Sequence, residues 1–187
     1  MTVGDKERNK QLVERYPFLL PRNRWTDKVS EDYDYSYTEL DAMPDGWRDS
    51  FGVDMCEELL HCLEKADFVN DYRILQIKEK YGGLRWYDAG FPESIYDEAH
   101  AIIHKYAEKS YETCGRCGAP ATLEGVGWIF PYCEDCAKAV GGLFNIRGTE
   151  DYVQYDRVST SSGDKEVEEV EEFVSSILSY ARNHQPL

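Results

Sequence analysis

CGRCGAPATLEGVGWIFPYCEDC, residues 114–136, holds four of the chain's six cysteines as two Cys-x-x-Cys pairs, Cys114/Cys117 and Cys133/Cys136. Each pair lets two thiolates of one tight turn approach the same ion. Two such turns joined by a short hairpin complete a tetrahedron, with sulfur about 2.3 Å from zinc. Gly115 and Gly118 flank the first pair where a knuckle needs a permissive backbone, and Pro120 ends that turn. Trp128-Ile129-Phe130 reads as an apolar strand leading into the second pair, with Ala137-Lys138-Ala139-Val140 starting a helical turn after it. The expected module is a zinc ribbon with Cys114, Cys117, Cys133 and Cys136 as ligands and Zn²⁺ as a structural cofactor. Four thiolates fill the coordination sphere, whereas a catalytic zinc keeps a position open. PYCEDC is one residue longer than the P-C-x-x-C half of a zinc deaminase, and no H-x-E precedes it. A loop this short in apolar side chains cannot offset its own ordering entropy. A structural zinc, contributing on the order of 10 kcal/mol, can.

Outward from the cysteines, the flanks read as a compact core. Residues 92–111 carry Ile95, Ala99, Ile102, Ile103, Tyr106 and Ser110 on one helical stripe, with Pro92 suited to the first position. YRILQIKEK (72–80) and LRWYDAG (84–90) read as a hairpin around Tyr81-Gly82-Gly83, where the glycines supply positive φ. VDMCEELLHCLEKA (53–66) has the period of an amphipathic helix, with Cys56 and Cys62 as small buried hydrophobes. Residues 5–15 suit a short polar helix ended by Tyr16-Pro17, and 17–25 a buried irregular segment. In EDYDYSYTELD (31–41), Tyr33, Tyr35 and Tyr37 alternate with Asp32, Asp34 and Ser36, as along an extended strand. GGLFNIRGTEDYVQYDRVST (141–160) has room for one or two strands. The chain then closes on a glutamate-rich helical pattern whose inner stripe is Val167, Val170, Val174, Ile177, Leu178 and Ala181.

The expected fold class is therefore α+β, a single compact domain with a small β-hairpin, several amphipathic helices and an inserted four-cysteine ribbon. Its parts are an acidic, Tyr/Trp-rich segment (1–50) packed on a helix–hairpin–helix core (51–112), the ribbon (113–140), and a C-terminal strand-and-helix region (141–187).

Acids outnumber bases 36 to 21, a formal charge of -15; four thiolates and one divalent ion would bring it to about -17. That field repels nucleic acid over most of the surface and steers a basic partner inward. No run of 18 apolar residues is present to span a membrane, and MTVGDKERNKQ lacks the apolar core of a secretory signal. A reducing cytosol is expected, where paired Cys-x-x-Cys spacings mean metal rather than disulfides.

Other constellations are thin. His100 and His104 share a helix face but lack the glutamate of H-E-x-x-H. Neither a nucleotide-binding glycine loop nor a G-x-S-x-G elbow occurs. Lys78, Lys80 and Arg85, with Arg73 nearby, make the hairpin locally basic, and pairing with neighbouring acids is the simplest use for them. Asp32, Tyr33, Asp34, Tyr35, Tyr37, Glu39, Asp41 and Trp47 form the best candidate recognition surface, since carboxylates and aromatic faces both attract guanidinium.

IKEKYGGLRWY (77–87), SYETCGRCGAP (110–120) and GWIFPYCEDC (127–136) together resemble a family of short, uncharacterised zinc-ribbon proteins carried mainly by bacteriophages and prophages. The likeness runs from Pro44-Asp45-Gly46-Trp47 to about residue 140. It implies a phage-type product in a bacterial host cytoplasm and the same four zinc ligands, and it brings no reaction with it. Coupled to the acidity, it leads to the expectation of a non-enzymatic binding protein. The expected partner is a basic or nucleic-acid-binding protein, such as a CRISPR effector nuclease that the chain inhibits (anti-CRISPR-like). The alternatives are a nucleic-acid-binding ribbon that uses the basic hairpin, and a metal-dependent nuclease drawing on acids of residues 27–49.

Overall fold

The computed structural model describes residues 3–23 and 25–156. The glutamate-rich C-terminal helix and its apolar stripe, expected beyond residue 160, lie outside those residues.

The fold is α+β, with helices and two small antiparallel sheets. Helix α1 (Val3–Arg15) ends at Tyr16-Pro17, as the proline dictates. After two short 3-10 turns, Pro17–Leu19 and Glu39–Ala42, a helical run begins with α2 (Asp45–Trp47). It widens to a π-helical stretch over Arg48–Gly52 and continues as α3 (Val53–Glu64). Strands β1 (Ile74–Lys80) and β2 (Gly83–Asp88) form the hairpin, and α4 (Tyr96–Tyr111) packs on it.

Helix α3 buries Met55, Cys56, Leu59, Leu60, Cys62 and Leu63, the stripe its periodicity demanded. It meets Ile77, Leu84 and Trp86 from the hairpin and Ile95, Ala99 and Tyr106 from the α4 side. Polar ties close the rim: Lys105 and the Tyr106 hydroxyl both donate to the Glu58 carboxylate, at 2.6 and 2.8 Å. Burial of Cys56 and Cys62 pushes both thiols up, so they are inert packing groups.

Three local expectations fail for identifiable reasons. Pro92 does not open α4; with ψ at 146° it precedes a 3-10 turn (Glu93–Ile95) that swings Ile95 into the core before the helix starts. The hairpin loop is Tyr81-Gly82, with φ of 53° and 74°, because Lys80 pairs with Gly83 in the ladder. Gly83 is needed instead for space, since a Cβ there would lie 2.3 Å from the Tyr111 ring. The tyrosines of 33–37 do not alternate on a strand. Asp34 Oδ1 accepts the Ser36 N–H at 3.1 Å and Tyr35 sits at φ 61°, so Asx-turn chemistry defeats extension.

The second sheet runs β4–β3–β5–β6, from β3 (Leu123–Gly125), β4 (Pro131–Tyr132), β5 (Gly142–Ile146) and β6 (Tyr152–Tyr155). Between β4 and β5 lies α5 (Glu134–Val140). Because β5 pairs with β3, the ribbon's sheet continues past residue 140, where a boundary was expected. Leu123, Ala137 and Phe144 form a small second core, with Tyr132, Val140, Ile146, Val153 and Tyr155 against it.

Gly83→Ala is expected to destabilise the fold by about 1–3 kcal/mol through overpacking against Tyr111. Urea unfolding checks this, and an unchanged midpoint would refute the packing.

Candidate metal centre and surfaces

Cys114 and Cys117 sit on the turn that follows α4, and Cys133 caps the N-terminus of α5. The turn is knitted by backbone bonds: Cys114 N–H donates to Ala119 O (2.7 Å) and Gly118 N–H to Cys114 O (2.9 Å). Gly118 carries φ +80°, the freedom expected of it. Gly115 serves a different end: a Cβ there would lie 2.1 Å from the Phe130 ring. Its N–H donates to Pro131 O at 3.0 Å, which ties the first knuckle to the strand entering the second.

The four sulfurs of Cys114, Cys117, Cys133 and Cys136 all lie within 4.8 Å of one another, with Cys117 and Cys133 at 3.5 Å. Four sulfurs on a tetrahedron about 2.3 Å from one ion stand about 3.8 Å apart, so the cluster fits a single metal ion. Burial raises the Cys114 thiol, but backbone N–H groups of Cys133, Arg116 and Cys117 outweigh it and hold it below the ordinary range. Cys133 and Cys136 are pushed up, chiefly by burial. A cation at the centre would favour the thiolate at Cys133 and Cys136, because it takes the place of their protons.

The knuckle does not hang free of the main core. Gly46 donates its N–H to Gly115 O at 2.9 Å. A Cβ on Gly46 would lie 2.3 Å from Cys114 O, 2.5 Å from Gly118 N and 2.6 Å from Cys117 N. Next to it, Trp47 is fully buried, donates Nε1–H to Thr113 O at 2.8 Å, and stacks on Phe130 with ring centroids 6.2 Å apart. Sequence reading missed this clamp; the only signal was the Pro-Asp-Gly-Trp turn lying within the conjoined motif set.

Trp47 is thereby withdrawn from the candidate recognition surface: a tryptophan with no exposed area cannot greet a partner. Asp41 is also structural. Its carboxylate accepts from Thr38 N–H (2.7 Å) and Thr38 Oγ1 (2.9 Å), with Asn9, Arg8 and Arg48 at 3.4–3.5 Å. Asp34 pairs with Lys6 of α1. What faces outward is a knob at residues 31–39. Asp32 and Asp34 are exposed, Tyr37 is partly so, and Tyr33, Tyr35 and Glu39 are half-buried. The Tyr33 hydroxyl donates to Tyr37 O at 2.8 Å, and burial with neighbouring Tyr35, Asp41 and Asp34 pushes its pKa up to about 12.

Among the described residues, Arg73 pairs with Asp27 at 3.3 Å, and Lys78, Lys80 and Arg85 pair with none of the carboxylates expected for them. Lys78 donates to Gln76 at 2.7 Å, and Arg85 to Tyr111 Oη at 3.2 Å. His100 Nδ1 lies 2.9 Å from Tyr96 O, and His104 faces Glu108. Among the described residues, the four cysteines are the one group of three or more ligating side chains placed to share an ion. The acids of 27–49 do not gather into such a group. Trp128 and Ile129 form no strand; Gly127, at φ +87°, turns the chain and leaves Trp128 73% exposed.

No helix among the described residues is long and apolar enough to cross a membrane. No protein-family model, curated protein or solved structure matches this chain.

Gly46→Ala is expected to cost about 3 kcal/mol or more, because the obstructing atoms are backbone and cannot rotate away. Thermal unfolding and metal stoichiometry of the purified variant test this; wild-type values for both would show the clamp to be slack.

Proposed function

We propose that the chain is a zinc-stapled, non-enzymatic binding protein of phage or prophage type that acts in the bacterial host cytoplasm. Its acidic, aromatic knob engages a basic, nucleic-acid-binding protein, and the partner is a host defence nuclease such as a CRISPR effector. One observation carries the reading: on a chain of charge -15, Asp32, Asp34 and Tyr37 are held outward on a knob pinned to α1 by the Lys6–Asp34 pair and by the Asn9 amide on Tyr35 O. Carboxylates and tyrosine rings placed in this way can enter a channel shaped for phosphate and take up its arginines.

The all-sulfur donor set supports zinc, which accepts four thiolates without geometric preference of its own. Four thiolates leave no position for a reacting ligand, which supports a staple rather than a Lewis acid. The staple matters to the main core because Trp47 and Gly46 lean on the knuckle. Metal analysis is expected to give one zinc per chain. Chelation is expected to abolish the near-UV signal of Trp47, which is packed, rather than of Trp128, which is exposed. A metal-free protein with an unchanged spectrum would defeat the staple.

For the partner, affinity capture from bacterial lysate at low and physiological salt is the test. Capture by the wild-type chain of a nucleic-acid-binding nuclease whose cleavage it inhibits, lost in Asp32→Lys combined with Tyr37→Ala, is the expected result. Capture that is indifferent to those substitutions, or none at either salt, would sink the reading.

A further inference from the structure

The face of the hairpin opposite the core holds an arrangement that the acidic reading leaves unused. Ile77 pairs with Trp86 and Glu79 with Leu84 in the ladder, so Gln76, Lys78, Lys80, Gly83, Arg85 and Tyr87 share the other face, which Tyr111 of α4 covers at Gly83 and Arg85. Lys78 stands directly opposite Arg85. Like charges so placed cost stability, and the chain carries 36 acids with which to relieve them. Among the described residues, Lys78, Lys80 and Arg85 make no ion pair. The one acid of the ladder's tip, Glu79, spends its carboxylate on the Gly82 N–H at 2.7 Å.

Aromatic rings interleave with these cations. The Lys78 ammonium lies 5.1 Å from the Tyr87 ring centre and the Lys80 ammonium 5.3 Å from that of Tyr81. Tyr81 is 67% exposed and Tyr87 44%. Ile129 packs against the hairpin tip, since a Cβ on Gly82 would lie 3.2 Å from its Cγ2. Trp128, the residue before Ile129, is 73% exposed.

We propose that this face binds single-stranded nucleic acid, with Lys78, Lys80 and Arg85 taking phosphates and Tyr81, Tyr87 and Trp128 stacking on bases. The inference is independent of the acidic knob. Cations supply the backbone attraction, and open ring faces need bases that are free to leave a stack, which a duplex does not offer. Three cations set a short contact of about three phosphates.

The test is fluorescence anisotropy of a labelled oligothymidylate of about 12 nucleotides with the zinc-loaded full chain. Binding is expected at about 50 mM salt, falling with log salt at a slope near -2, which corresponds to about three phosphates on a single strand. Lys78→Gln with Lys80→Gln is expected to flatten that slope by more than half. Trp128→Ala and Tyr81→Asn, the latter suited to positive φ, are each expected to weaken binding on the order of tenfold at unchanged slope. Circular dichroism of the exposed-residue variant Trp128→Ala verifies that the fold survives. Absence of binding at low salt, affinity for heparin or duplex DNA equal to that for the oligonucleotide, or aromatic variants that bind as wild type would each overturn the proposal.

Discussion

The contact on which the rest of the structure depends is the approach of Gly46 to the backbone of Cys114, Cys117 and Gly118. It leaves no room for a side chain, so the start of α2 and the first knuckle behave as one body. Trp47 completes the joint by filling the space between the knuckle and Phe130 and by satisfying the Thr113 carbonyl with its indole N–H. Such a bond, buried away from water, is costly to leave unmade. Whatever holds the four sulfurs together therefore also holds α2 in place, and through the helical run Asp45–Glu64 it reaches the main core.

The same joint explains why the ribbon is more than an appendage. A two-knuckle loop with a three-residue core of Leu123, Ala137 and Phe144 has little apolar area with which to order itself. It gains from three sources at once: the sulfur cluster, the sheet extended through β5 and β6, and the Gly46–Trp47 clamp. Each is modest in area, and they converge within a few residues of Cys114.

Charge on this molecule is divided rather than spread. Asp41 turns inward and organises Thr38, Asn9, Arg8 and Arg48, whereas Asp34 and Asp27 stay exposed while pairing with Lys6 and Arg73. Among the described residues, Lys78, Lys80 and Arg85 make no ion pair, and Lys78 and Lys80 lie beside the exposed rings of Tyr87 and Tyr81. Patches of opposite sign on one small body fit a protein that works by contact.

From the order of residues alone, much of the scaffold was legible. The stripes of α3 and α4, the hairpin, the proline stop after α1 and the four-cysteine cluster all follow from period and spacing, because helical and strand burial repeat along the chain and ligand spacing in a tight turn is a local matter. The roles of particular residues were not legible where they depend on contacts remote in sequence. Trp47 reads as a surface aromatic among acids until Phe130 and Thr113 arrive to cover it. Gly83 and Gly115 read as turn glycines, yet each is required by a ring, Tyr111 or Phe130, brought against it in the fold. Lys78 and Arg85 read as partners for nearby carboxylates, and only the ladder register sets them against each other instead. Periodicity encodes which side of an element is buried; what it is buried against is decided when separate elements meet, since that depends on distances no single segment contains.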